Sequence, residues 1–352
     1  MSYGDLRDRL GDLETDGSRR IVSLPDGSVD HRYALTGAGG RRVRTAHDFA
    51  RQLEAGARAF ALEPIGIEPG GQAVNAAVQA DALGDETLLV GHLDHPVLAE
   101  FSFETRSMGS PAAIRVVSLA EDDLLLSEPG PTDDWRLEEL LAVVDWERIV
   151  GADALCCANW VSVRGLTAVF DRLAAAPPDD RLVVAVDPGP IDAVAPAALG
   201  GLFDALSRAA EVDAPLEIVL SVNPRELAAA VAATNGEPAA NGGDSSADRD
   251  RTRERTAALR SALGIAGVVS HGADAAVGAT RDDTVTVELL EVDAIERTTG
   301  AGDRFSAGLA CALAREWPLE TALALGNACA TQFVATGETG APAALRSLLA
   351  DG

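Results

Sequence analysis

From about residue 70 onward, short apolar runs rich in Val, Ile and Leu recur at residues 87–90, 154–157, 182–186, 217–222 and 265–270. Each lacks the every-second polar residue of a half-solvated strand, so each predicts a strand covered on both faces. The stretches between them carry apolar residues at helical spacing. Strands alternating with helices predict a doubly wound α/β sheet with helices on both faces. Ligands in that architecture collect beyond the carboxyl ends of the strands. His92, Asn159, Asp187, Asn223 and His271 each follow a run and so stand at those ends. Two further segments predict antiparallel pairs: 275–280 with 284–289 around Arg281-Asp282-Asp283, and 114–119 with 124–126 around Glu121-Asp122-Asp123.

Residues 31–68 break the alternation, being rich in Gly and Arg early and apolar later. With residues 100–128 they predict a small β-sheet lid over the strand ends. That leaves 1–30, 69–99 and 129–352 to the large α/β domain. Residues 234–255 (TNGEPAANGGDSSADRDRTRER) are polar, with Gly, Ser and Asp dominating the middle, and predict a flexible exposed loop inside that domain.

Charge changes the picture more than size does. The 352 residues hold 55 acidic side chains against 29 of Lys plus Arg, a net charge of −26, and lysine is absent. The acids are spread along the whole chain, which reads as a surface adapted to high salt. Such a field repels nucleic acid and anionic membranes, so no partner of either kind is expected. It also repels phosphate wherever arginine is not placed locally. The first residues are polar and acidic with no apolar segment, and no run reaches membrane-spanning length, so a cytoplasmic location is expected. Four cysteines (156, 157, 311 and 329) show no zinc spacing and read as buried free thiols. Cys156 and Cys157, adjacent on a strand, should face opposite sides.

The densest chemistry lies at residues 297–308, RTTGAGDRFSAG. Thr299-Gly300-Ala301-Gly302 runs into Asp303 at the start of an apolar helical pattern (Phe305, Leu309, Leu313). Amides at a helix start are unpaired and the helix dipole adds positive charge, so such a turn attracts anions. A carboxylate there is repelled by phosphate. The economical reason for Asp303 is a general base that takes a proton from a hydroxyl as it attacks a phosphoryl group. This reads as a small-molecule kinase, although a glycine turn before a helix is also a common structural helix start. Upstream, Glu68-Pro69-Gly70-Gly71 leads into Gln72-Ala73-Val74-Asn75. Glycine amides and an inward Asn75 amide, donor and acceptor at once, suit the adjacent hydroxyls of a polyol.

On these residues the chain resembles the PfkB (ribokinase-like) carbohydrate kinases, in a halophilic archaeal form. The family's Gly-Gly segment with an Asn four residues after the second Gly is matched by Gly70, Gly71 and Asn75. Its Asp-Thr-x-Gly-Ala-Gly-Asp segment is matched by Thr298, Gly300, Ala301, Gly302 and Asp303. Asn223-Pro224-Arg225-Glu226 matches Asn-x-x-Glu, and Gly27-Ser28-Val29-Asp30 resembles the segment whose Asp binds sugar hydroxyls. The likeness spans roughly residues 21–349. It implies a large α/β domain with a β lid shared in a homodimer, and Mg²⁺-dependent phosphoryl transfer from ATP, with ADP as donor left open. By position, Asp303 would be the catalytic base, and Gly300, Ala301 and Gly302 the anion hole. Asp30, Gly70, Gly71, Asn75 and Asn159 would contact the sugar. Asn223 and Glu226 would position Mg²⁺ through water, and Ser270, His271 and Gly272 would line the nucleotide side. Asn327 would lie on the helix bordering the adenine, while for His271 a plain loop histidine is an equal reading. One position departs: the family's leading Asp, often linked to a bound monovalent cation, is Arg297 here. Its guanidinium either acts where that cation's charge would, or pairs with Glu296.

A phosphorylated acceptor would need arginine on the lid side. Arg41-Arg42-Val43-Arg44 is the dense basic cluster there, with Arg106 and Arg115 in the second lid segment. Arg42 and Arg44 are therefore candidates for a phosphate clamp, against the alternative of solvated charges balancing local acids. On that cluster the expected acceptor is a phosphorylated sugar, and the resemblance to halophilic archaeal members of the family implies ribose 1-phosphate, giving ribose 1,5-bisphosphate. Fructose, fructose 1-phosphate, 2-keto-3-deoxygluconate and a nucleoside stay open. A non-catalytic sugar- or nucleotide-binding protein on the same fold is the reading of another class, and the intact Gly-Ala-Gly-Asp turn argues against it.

Overall fold

Every apolar run without alternation is a strand in the computed structural model, which describes residues 2–15, 17–119, 123–128, 130, 135–235 and 246–351. In chain order the strands are β1 (Arg20–Leu24), β2 (Ser28–Thr36), β3 (Arg42–Val43), β4 (Ala61–Gly70), β5 (Glu86–Gly91), β6 (Glu104–Ser107) and β7 (Ala112–Val117). Then come β8 (Leu124–Glu128), β9 (Ala154–Ala158), β10 (Leu182–Asp187), β11 (Leu216–Val222), β12 (Gly267–His271), β13 (Ala275–Ala279) and β14 (Thr284–Glu288).

Nine strands form the main sheet in the order β14-β13-β12-β11-β10-β9-β1-β5-β6. Pairing is parallel from β12 to β6, and β13 and β14 add the expected antiparallel hairpin at one edge. The chain leaves β1 toward β5 on one side and returns to β9 on the other, so a crevice opens above the β1–β9 junction. Successive residues feed two core layers. Leu155 and Cys157 pack with the helices Leu166–Ala175 and Pro196–Ala210. Ala154 and Cys156 pack with the helices Ala301–Ala314 and Leu319–Thr336. All four cysteines are free and buried, and burial pushes the Cys156 thiol up to about 12.

The second sheet has five strands, with β2 as its spine. β4 runs antiparallel along β2, β7 runs parallel to its first half, and β3 pairs only with Leu35 and Thr36 at its far end. β8 continues beyond β7.

Two sequence expectations are corrected. Residues 100–128 do not all belong to the lid, because β6 pairs in parallel with β5 at the edge of the main sheet. Phe101 and Phe103, packed on a cluster that includes Val29, Ala73 and Leu89, draw that segment down. Residues 234–255 are not one loop: 234–235 close the helix Pro224–Asn235, and 246–255 open the helix Ser246–Leu263. The start of the second helix carries no apolar stripe. It is held by charge instead, with Arg249 donating to Glu288 and Arg253 to Thr286 Oγ1 and the Thr284 carbonyl. Residues 236–245 of that segment, and Glu121 and Asp122 of the turn predicted between β7 and β8, lie outside the described residues.

Candidate active site

Asp26, just past β1, organises one side of the crevice. Its carboxylate accepts the main-chain N–H of Gln72 (3.1 Å) and Ala73 (2.6 Å), the first donors of the helix Gln72–Ala82, and Asn159 Nδ2 donates to it at 2.8 Å. An anion there satisfies amides that no helical carbonyl can reach. Four residues further on, in β2, Asp30 accepts from Ser28 Oγ at 2.6 Å. A Cβ at Gly70, on the facing strand β4, would collide with the Asp30 carboxylate, so glycine is what lets the two approach. Burial pushes the carboxyls of Asp26 and Asp30 up.

Asp303 lies in the first turn of the helix Ala301–Ala314, which starts from Gly300 at φ 93°. Gln72 Nε2 donates to Asp303 Oδ1 (2.9 Å) and to Asp187 Oδ1 (3.2 Å), and Asn75 Nδ2 donates to Asp303 Oδ2 (2.7 Å). One turn along, Ser306 Oγ donates to Asp187 Oδ2 at 2.9 Å. The two glycine-led helices are thus joined through side-chain amides on carboxylates. Asp187 is pushed up to about 7, by burial first and then by repulsion from Asp303.

On the far side of the turn lies a cavity of ≈ 1020 Å³, walled by Asn223, His271, Gly272, Ala301, Gly302 and Asn327 among others. His271 packs on Phe305 with ring centroids 4.8 Å apart, and burial lowers its pKa to about 4, so the ring is neutral. Asn327 donates to Tyr3 Oη and to the Val287 carbonyl, both at 3.2 Å. Ser270 is not in the cavity wall; it is buried behind it.

Asn223 and Glu226 form a reciprocal capping box. Asn223 Oδ1 accepts the Glu226 N–H (3.0 Å), and Glu226 Oε2 accepts the Asn223 N–H (2.8 Å). The Asn-x-x-Glu spacing therefore has a helix-start explanation of its own. What it adds is position: burial, then Asp187, pushes the Glu226 carboxyl up to about 8. Buried carboxylates crowding one crevice suit a hard cation. Among the described residues no three His, Cys, Asp or Glu side chains converge to hold one directly.

The raised Glu226 carboxyl has a stability consequence. It keeps its proton when folded up to about pH 8 but loses it near 4.5 when unfolded, so the folded state binds more protons across that window. Stability of the ligand-free protein should therefore fall as pH rises from 5 to 8. Glu226→Gln, which keeps an acceptor oxygen for the Asn223 N–H, should flatten that decline in Tm. An unchanged slope would refute the assignment.

Arginine is the main correction at the site. Arg42 and Arg44 are exposed on or just beyond β3, and Arg42 pairs with Thr36, six residues along β2 from Asp30. At the strand rise of 3.3 Å per residue that is about 20 Å away. Arg42 is therefore too far off to clamp a phosphate beside Asp30, while Arg44 is exposed beyond the end of β3. Arg106 is taken by Glu104 and Arg115 by Glu128. Arg297 pairs with Glu68 from both Nη atoms (3.2 and 3.1 Å), not with Glu296. The sequence reading missed Asp26 and Gln72. Their signals were a Pro25-Asp26-Gly27 turn directly after the first strand, and a side chain between Gly71 and Asn75.

Comparison with known proteins bears on the family and the fold. The family profile described as prokaryotic ketohexokinase matches residues 41–352. A curated ketohexokinase of Haloferax volcanii is 27% identical over 322 residues, covering 84% of this chain and 80% of that protein. Ribokinase from Thermotoga maritima superposes with a TM-score of 0.64 at 18% identity, covering 95% of this chain and 99% of that one. Ribokinase from Cryptococcus neoformans in complex with ADP superposes at 0.65 and 16% identity, covering 96% and 100%. At these identities the structural likeness speaks for the fold, which is that of ribokinase. Among the described residues no helix is long and apolar enough to cross a membrane. The matched range takes in both signature turns and the capping-box segment, and the chain belongs to the prokaryotic ketohexokinase family of PfkB-type carbohydrate kinases, phosphotransferases with an alcohol group as acceptor.

Proposed function

We propose that this kinase transfers the γ-phosphoryl group of ATP to a primary hydroxyl of a free ketohexose, with fructose the first candidate. One observation carries the reading: Asp303 stands between two subsites, bonded to Asn75 and Gln72 on one side, with Ala301 and Gly302 walling a nucleotide-sized cavity on the other. An acceptor hydroxyl seated beside Asp303 gives its proton to that carboxylate as its oxygen attacks the γ-phosphorus. The bond to the bridging oxygen breaks and ADP leaves. Amides of the 300–302 turn face the charge that develops. Asp30, Gly70, Gly71, Asn75 and Asn159 hold the sugar, and Asp26 positions Asn159. His271, Gly272 and Asn327 border the nucleotide. Mg²⁺, held through water near Asn223 and Glu226, neutralises phosphate charge. An ATP donor also suits a cytoplasmic enzyme.

A phosphorylated acceptor loses support because Arg42 stands off the site, whereas the ketohexokinase relatives favour a free ketohexose. The test is ADP release at molar KCl with ATP, ADP or GTP against fructose, ribose 1-phosphate, fructose 1-phosphate, 2-keto-3-deoxygluconate and nucleosides. Fructose with ATP should give the highest kcat/KM. A tenfold or greater preference for a phosphorylated acceptor overturns this choice, and no turnover with any acceptor would indicate a silent binding protein.

The lid offers a homodimer surface. Among the described residues β4 pairs only with β2, and along it Ile65 and Ile67 are 55% and 56% exposed. An unpaired strand edge bearing apolar side chains favours pairing with another copy. Ile67→Asp should convert a dimer into a monomer by light scattering; a wild-type monomer at micromolar concentration sinks the idea.

A further inference from the structure

Glu68 stands two residues before Gly70 on the lid strand β4, and Arg297 stands three before Gly300, so the two signature turns carry opposite charges on their approaches. The structure joins them. Arg297 Nη1 and Nη2 donate to Glu68 Oε2 and Oε1 at 3.2 and 3.1 Å, a two-pronged pair whose side chains are 26% and 30% exposed. Planar pairing of this kind fixes direction as well as distance, and partial burial protects it from salt.

Both ends of the pair are anchored. On the lid, Glu68 Oε1 also accepts from Arg32 Nη1 at 3.1 Å. Arg32 Nη2 reaches Ser118 Oγ at 2.7 Å and both Asp123 oxygens at 3.2 and 3.0 Å. On the other side, the Arg297 guanidinium lies 5.4 Å from the centre of the Phe333 ring, and Arg304 lies over the same ring at 3.6 Å. Arg304 Nη1 donates to the Gly300 carbonyl at 2.9 Å, so the same aromatic platform steadies the turn itself.

We infer that Glu68 and Arg297 are positioning residues that set the separation between the acceptor sugar under β4 and the phosphoryl group at the 300–302 turn. Neither touches the reacting atoms. The attacking oxygen must stand about 3–3.5 Å from phosphorus and in line, and a misplacement of about 1 Å costs roughly a hundredfold in rate. A lid free to drift relative to the turn would lose that alignment and admit water. The inference rests on the reading above, in which acceptor and phosphoryl group meet at Asp303.

The test compares Arg297→Gln, Glu68→Gln, the double variant and Arg32→Gln. For each one measures kcat, both KM values, Tm, and the ratio of ADP formed to sugar phosphate formed. Each single substitution at 297 or 68 should lower kcat by about 10- to 100-fold, leave the KM for ATP within about twofold, and lift the ratio above one as water takes the phosphoryl group. The double variant should be no worse than the poorer single, because the two remove one shared interaction. Arg32→Gln, which breaks only the lid-internal half, should keep the ratio at one. Additive losses, a ratio of one in both singles, or the same defect from Arg32→Gln would overturn the inference. If Arg297→Gln unfolds, Glu68→Gln reads the same pair from the lid side. Wild-type enzyme inactive on every sugar would instead sink the functional reading.

Discussion

Asp303→Asn should lower kcat by roughly 10²- to 10⁴-fold, the usual worth of a positioned general base, while both KM values stay within about threefold. The asparagine keeps the size of the side chain and one acceptor oxygen. Gln72 or Asn75 then keeps a partner and the other loses one. What disappears is the capacity to take the hydroxyl proton. Folding and chemistry separate cleanly here, because Asp303 repels Asp187 and Glu226. Removing its charge relieves that crowding, so the variant should melt no lower than wild type at pH 8. Steady-state kinetics beside a thermal melt checks both halves. A variant that retains a tenth of wild-type kcat would remove Asp303 from the role of base.

Much of this arrangement was legible in the chain because each legible part rests on local chemistry. The parallel strands announce themselves by runs buried on both faces, as at Leu182–Asp187. Gly71 and Gly300, at φ 106° and 93°, need glycine whatever surrounds them, so those turns are written in the sequence. The lid arginines were misread for the opposite reason. A dense run such as Arg41-Arg42-Val43-Arg44 reports charge but not place, and place was set by β3 pairing at the far end of β2. The helix Ser246–Leu263 was hidden because its first half is held by arginines on the β14 hairpin and not by an apolar stripe. Asp26 and Gln72 were hidden because their significance is three-dimensional: their partners stand 46 or more positions away.

Gly300→Ala should bring the second large loss, roughly 10²- to 10³-fold in kcat, comparable to removing an anion-hole donor. Two costs fall on the same Cβ. Gly300 has φ 93° in the left-handed region, where an L side chain is strained by about 1–2 kcal/mol. The added carbon would also lie 2.9 Å from Arg304 Nη1 and 3.2 Å from Asn75 Nδ2. Relief means shifting the guanidinium that holds the Gly300 carbonyl or the amide that holds Asp303 Oδ2, and either shift turns the 301–302 amides off their target. Gly337 supplies the control: its φ is 73°, yet nothing stands within 4 Å of a Cβ placed there. Gly337→Ala carries the backbone strain without the collision. Both variants should melt lower by a few degrees, and only Gly300→Ala should lose turnover, with a raised KM for ATP. Equal activity in the two would mean that the turn tolerates the side chain and that its geometry does not govern phosphoryl transfer.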